Sequence, residues 1–181
     1  MKKILLFIFS ILALCACHPV NTEDVSVSNK ASVPVQSMPE AMPEDFGFSV
    51  QFGIGKKNEI NTFTGQVIKY LIEDGTATVD LPLLDKEMSE IYRKMKAINI
   101  FTEKEFVPSP VNGTMCVQQP HEEDEWKITI DGETISHSIS GEYCEPTQDA
   151  KQFLELRNYV FSKVKQREEY LELPESRGGY D

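Results

Sequence analysis

The chain is short of positive charge: 18 lysines and arginines stand against 29 aspartates and glutamates over 181 residues, a formal charge of −11. A surface field of that sign repels phosphate, so it excludes nucleic acid as a partner, and equally an anionic lipid surface held by charge alone. Long apolar runs are missing too. The longest, residues 4–16, is interrupted by Ser10 and falls short of the about 20 residues that a bilayer-crossing helix needs. There is no C-x-x-C pair, which argues against dithiol redox chemistry. No internal repeat supports a duplicated architecture, and histidine is scarce, at His18, His121 and His137 only.

What is present begins with Lys2 and Lys3 ahead of the short apolar run, a pattern that predicts a secretory signal rather than a transmembrane helix. The next residues, Leu14-Cys15-Ala16-Cys17, resemble the lipobox of bacterial lipoproteins, in which a leucine and two small residues precede a lipid-bearing cysteine. The resemblance implies cleavage after residue 16, a diacylglyceryl group on Cys17, and a protein held at a membrane surface without spanning it. Cys15 fits the pattern less well, because Leu14 is too bulky for the position before the cleavage point. A metal site made of Cys15, Cys17 and His18 would need a further ligand and a folded scaffold, and cleavage removes Cys15. By the same resemblance, His18 in place of an aspartate after the cysteine implies outer-membrane sorting where the host has two membranes.

Residues 17–44 carry Ser, Val, Pro, Asn and Glu without helical or strand period, as in "SVPVQSMPEAMPEDF", and read as a flexible tether. On random-coil scaling such a linker spans on the order of 25 to 30 Å, enough to clear lipid headgroups. Residues 45–173 are of a size for one domain with one core, with residues 174–181 expected as a mobile tail. Losing Lys2 and Lys3 with the leader takes the formal charge from −11 to −13. The acids keep an exported domain soluble, and the sharper reading of them is a cationic ligand or partner. Cys116 and Cys144 remain after Cys17, and in an exported chain they are expected to be bridged, which the chain-entropy picture values at roughly 3.5 kcal/mol.

Periodicity sets the fold class. "FGFSVQFGIG" alternates, with Phe46, Phe48, Val50, Phe52 and Ile54 on one face and glycines opposite, which permit either a close neighbour or a bent strand. "INTFTGQVIKYLIED" is expected to follow as a second strand with a slip at Gly65, and Asp74-Gly75 turns the chain into a third, "TATVDLPL". Asp85 reads as the N-cap of a helix to Ile98 that buries Met88, Ile91, Tyr92 and Met95, a core stripe rather than a copper-binding methionine face. Met115 to Gln118 is expected to pair briefly as a strand. "EWKITIDGETISHSIS" is a hairpin about Asp131-Gly132, a register that sets Trp126 opposite His137 and Ile128 opposite Ile135. A second helix over residues 148–167 presents Ala150, Phe153, Leu154, Arg157, Val160, Phe161 and Val164. The order predicts an α+β fold, an antiparallel sheet of two meander or hairpin units with two helices on one face.

Few residues invite chemistry. His137 points inward opposite an aromatic ring, but local spacing fixes no serine or carboxylate beside it, so a satisfied structural histidine is the plainer reading. "HEEDE" gathers His121, Glu122, Glu123, Asp124 and Glu125; its spacing is neither an EF-hand nor a zinc motif, and it reads as a solvated acidic loop. "FGIGKKNE" lacks the strand-to-helix context and the Ser/Thr of a P-loop and is a hairpin turn, and Asn112-Gly113-Thr114 is a turn rather than a glycosylation site. "FGIGKKNEINTFTGQVIKYL" with "REEYLELPESRGGY" is similar to small exported bacterial proteins of no assigned activity.

The expectation is thus a lipid-anchored envelope protein, attached to the membrane through Cys17, that acts as a non-catalytic binding module for another envelope protein or a cationic ligand, with no cofactor. Two alternatives stand beside it: an envelope hydrolase centred on His137, and an acidic metal-capturing lipoprotein using His121, Glu122, Glu123 and Asp124.

Overall fold

The computed structural model describes residues 37–179; the signal, the lipobox and Cys17 lie outside them. Strands β1 (Gly47–Gly53), β2 (Asn58–Asn61), β3 (Gln66–Ile72) and β4 (Gly75–Asp80) are followed by helix α1 (Asp85–Ala97). Strands β5 (Glu123–Ile130) and β6 (Glu133–Ser140), helix α2 (Gln148–Val164) and the short α3 (Glu168–Leu171) complete the chain. The strands form one six-stranded antiparallel sheet in the order β4-β3-β2-β1-β5-β6. The fold is α+β.

Alternation of side chains decides which face of this sheet is covered. Phe48, Val50, Ile60, Val67, Trp126 and Ile128 all sit on one face and are buried. The intervening Glu125, Lys127, Ser136 and Ser138 are exposed on the other. Helix α1 contributes Ile91, Tyr92 and Met95 to the covered side, and α2 contributes Ala150, Phe153, Leu156, Val160 and Val164. Sheet and helices share a single apolar cluster. Near its middle, Phe153 meets Trp126 edge-on with ring centroids 6.1 Å apart. The methionine stripe of α1 is core, as periodicity indicated.

The β5–β6 hairpin has the predicted register, Trp126 opposite His137 and Ile128 opposite Ile135. Other details depart from expectation. Residues 60–72 form two strands, not one, because the Asn61 side-chain carbonyl accepts from the Phe63 and Thr64 amides at 3.0 and 3.3 Å and turns the chain there. The irregularity in pairing lies further on, between Tyr70 and Ile72. The glycines of β1 answer the question they raised with a close neighbour: a Cβ on Gly47 would stand 2.6 Å from the Phe63 ring. Asp85 is the first helical residue rather than the cap; Glu87 instead accepts from the Leu84 amide at 2.9 Å. In α2 it is Leu156 that is buried, while Leu154 stays 43% exposed.

The folded unit also reaches beyond residues 45–173 at both ends. Met38 is buried in the core, the Tyr92 hydroxyl donates to the Pro39 carbonyl at 2.8 Å, and Lys96 pairs with Glu40 at 2.8 Å. Residues 37–44, expected as tether, therefore lie against α1. At the other end Arg177 bridges to Ile72, its amide donating to Leu71 at 3.1 Å, and the Ser176 hydroxyl donates to the Tyr70 carbonyl at 2.8 Å. The expected mobile tail thus touches β3 through Ser176 and a single isolated bridge at Arg177.

Candidate functional site

The acidic run "HEEDE" is not a solvated loop, because β5 begins inside it. Strand alternation then separates its members. Glu123 and Glu125 fall on the open face, where Glu125 pairs with Lys56 at 2.6 Å. Asp124 turns to the covered face, lies beside Phe52 and Ile139 in neighbouring strands, and is only 5% exposed. A carboxylate so placed needs a countercharge, and α2 supplies it.

Arg157 occupies a position on the apolar stripe of α2, one turn beyond Phe153, and is itself 8% exposed. Its Nε donates to Asp124 Oδ2 at 3.3 Å, Nη1 to the Asn158 side chain at 3.0 Å, and Nη2 to Glu122. The guanidinium also lies over the Phe52 ring, 5.3 Å from its centroid. Burial dominates the Asp124 carboxyl and pushes it up to about 6; the charge and hydrogen bond of Arg157 pull the other way, and Glu122 adds to the rise. Two carboxylates thus share one guanidinium at the start of β5, on the covered side of the sheet.

Opposite this cluster the chain folds back on itself. Cys116 and Cys144 are joined, 28 residues apart in sequence. Around the bridge Val117 pairs with Tyr143, Gln118 donates to the Glu142 carbonyl at 2.7 Å, and Cys144 donates to the Cys116 carbonyl at 3.2 Å. Of the brief strand expected at Met115 to Gln118, the structure has a single isolated bridge, at Val117. Gly141, at the end of β6, donates to the Glu122 carbonyl at 2.8 Å, and a Cβ there would stand 2.8 Å from that same oxygen.

Between the disulfide-closed loop and α2 lies a cavity of about 330 Å³. Pro120, Ile139, Pro146, Ala150 and Leu154 make its apolar walls; Asp124 and Arg157 lie at its base, with His121, Glu122, Gln118 and Lys151 around them. His121 brings an unmet need, for its buried Nδ1 has no hydrogen-bond partner among the described residues. The volume is within the range of small-molecule sites, and apolar walls around a few fixed polar groups are their usual chemistry.

His137 stands apart from this cavity. Its ring lies edge-on to Phe153 at 4.9 Å and Phe106 at 5.8 Å, and its Nε2 is 2.8 Å from the Ile100 carbonyl. Burial holds the imidazole below its ordinary value, partly offset by that carbonyl. A neutral ring donating from Nε2 satisfies the geometry. Among the described residues no group of three or more His, Cys, Asp or Glu is placed to hold a metal ion.

Sequence reasoning named His121, Glu122, Glu123 and Asp124 together, and the structure keeps His121, Glu122 and Asp124 at one cavity while sending Glu123 to the other face. It placed Arg157 on the α2 stripe without drawing the consequence. A charged residue in an apolar stripe signals a buried countercharge, and the acidic run was the place to look for it. The chain matches no protein family and no curated protein.

Proposed function

We propose that the chain is a lipid-anchored cell-envelope protein whose folded part is a non-catalytic binding module, taking its ligand in the cavity between α2 and the disulfide-closed loop. The cavity carries this reading: about 330 Å³ with apolar walls and a base made of the Asp124–Arg157 pair, both residues nine-tenths buried or more. Buried charge is costly and is retained where it fixes geometry or meets a ligand. The Cys116–Cys144 bridge supports export, since such bridges persist in oxidising compartments. The engagement of His137 by a backbone carbonyl and two aromatic rings favours a structural role for it over hydrolysis.

The anchor is tested by the intact mass of the protein extracted from its native membrane and alkylated with and without reduction. A diacylglyceryl mass on Cys17, with Cys116 and Cys144 alkylated only after reduction, is the expected result. An unlipidated chain with free thiols overturns it. The binding site is tested by titrating small-fragment pools against the isotope-labelled protein: saturable shifts grouped on Asp124, Ile139, Gly141 and Leu154 are expected, and their absence removes the reading.

A further inference from the structure

The cavity has a chemical preference, and stating it rests on the reading of that cavity as a binding site. We infer that it takes an organic cation, a primary amine or the amino terminus of a short peptide, carried on a compact apolar body.

Donors and acceptors at the cavity base set this preference. The guanidinium of Arg157 is already engaged through Nε, Nη1 and Nη2, by Asp124, Asn158 and Glu122. Each of its three nitrogens already has an acceptor, so an anionic ligand would have to share the two remaining N–H groups with carboxylates that repel it. Acceptors also stand open. Asp124, 5% exposed, uses Oδ2 for Arg157, and its Oδ1 accepts from no donor among the described residues. His121 Nδ1 is buried without a partner among the described residues, and with the ring proton on Nε2 it too is an acceptor. A buried polar atom without a partner, as Nδ1 is, is rare in folded proteins. A primary ammonium brings three donors and no acceptor, which fits such a base.

The lining charges balance: Asp124 and Glu122 stand against Arg157 and Lys151, with Glu122 and Lys151 both exposed and screened by water. Burial is what raises the Asp124 carboxyl, and Arg157 offsets only part of it. A bound ammonium beside Oδ1 would oppose that burial and hold the carboxyl ionised. The rest of the ligand then meets Pro120, Ile139, Pro146 and Leu154, which offer it nothing but apolar surface. The overall charge of −11 favours the approach of cations over anions.

Two probes that share a body and differ in charge decide the matter: 2-phenylethylamine and 3-phenylpropionate, each titrated into the full exported chain in detergent, disulfide intact, at neutral pH and followed by NMR. The amine is expected to shift resonances of His121, Asp124 and Ile139 saturably, and the carboxylate at equal concentration to leave them unmoved. In Asp124→Asn, of nearly the same shape, affinity for the amine is expected to fall by on the order of tenfold or more. Should that variant fail to fold, the wild-type comparison still decides. Carboxylate binding as tight as the amine's overturns the preference while leaving the cavity as a binding site. Silence of both probes at the cavity overturns the preference and the binding reading together.

Discussion

The carboxylate of Asp45 holds the turn of Gly132: its two oxygens accept from the Asp131 amide at 2.9 Å and the Gly132 amide at 2.6 Å. A residue at the entry to the domain thereby closes the far hairpin. Asp45→Ala removes both acceptors and is expected to lower stability by about 1–2 kcal/mol, with Asp45→Asn losing less. Chemical denaturation measures it; an unchanged midpoint for the alanine variant would show the contact to be energetically idle.

Gly141 is a second point where one chain segment leaves no room. The Cβ of an alanine there would press on the Glu122 carbonyl at 2.8 Å, and backbone, unlike a flexible side chain, has nowhere cheap to go. Gly141→Ala is expected to cost about 1–3 kcal/mol and to broaden resonances along the cavity wall. A fully stable variant with sharp spectra would contradict that account.

Reduction of the Cys116–Cys144 bridge frees a loop of 28 residues and is expected to cost roughly 3.5 kcal/mol or somewhat less. Neither cysteine lies in a strand of the sheet. Denaturation midpoints should therefore drop under reductant while far-ultraviolet dichroism of the folded state stays the same, and a collapse of the dichroism would refute this separation.

Two buried groups give the stability opposite dependences on pH. His137 is held below its ordinary value chiefly by burial, so the unfolded chain takes up its proton first. Its contribution is complete above about 6.5 and is lost as pH falls below that. Asp124 is raised, from 3.8 to about 6, again chiefly by burial, so here the folded chain takes up the proton first. Its contribution is present in acid and is lost as pH rises through about 6. Between pH 7.5 and 5, His137→Phe is expected to lose less stability than the parent and Asp124→Asn to lose more. Parallel curves for all three proteins would remove both assignments.

How far these features were legible follows from how local each signal is. The hairpin at Asp131-Gly132 could be read residue by residue because a two-residue turn fixes register on both sides, and Trp126 does face His137. Asn61 hid the other hairpin: an asparagine in an alternating run looks like a strand residue until its side chain caps the turn that follows. Leu154 and Leu156 are both plausible on a helical stripe, and only the position of the sheet chooses between them. The site was least legible of all. Asp124 and Arg157 are far apart in sequence, and no local spacing tells an acidic run which of its members will be buried opposite an arginine.

The pairing of β1 with both β2 and β5 carries a consequence for timing. A chain made or delivered N-terminus first can close the β1–β4 meander early, from neighbouring segments. One long edge of β1, with the backbone N–H and C=O groups that will pair with β5, then waits for that strand, which comes only after α1 and the connection beyond it. Until it arrives, the future centre of the sheet is an open, sticky border of the kind that recruits foreign strands. Most of the polypeptide has to emerge before that border is sealed, so shielding during synthesis matters more for this fold than its modest size suggests.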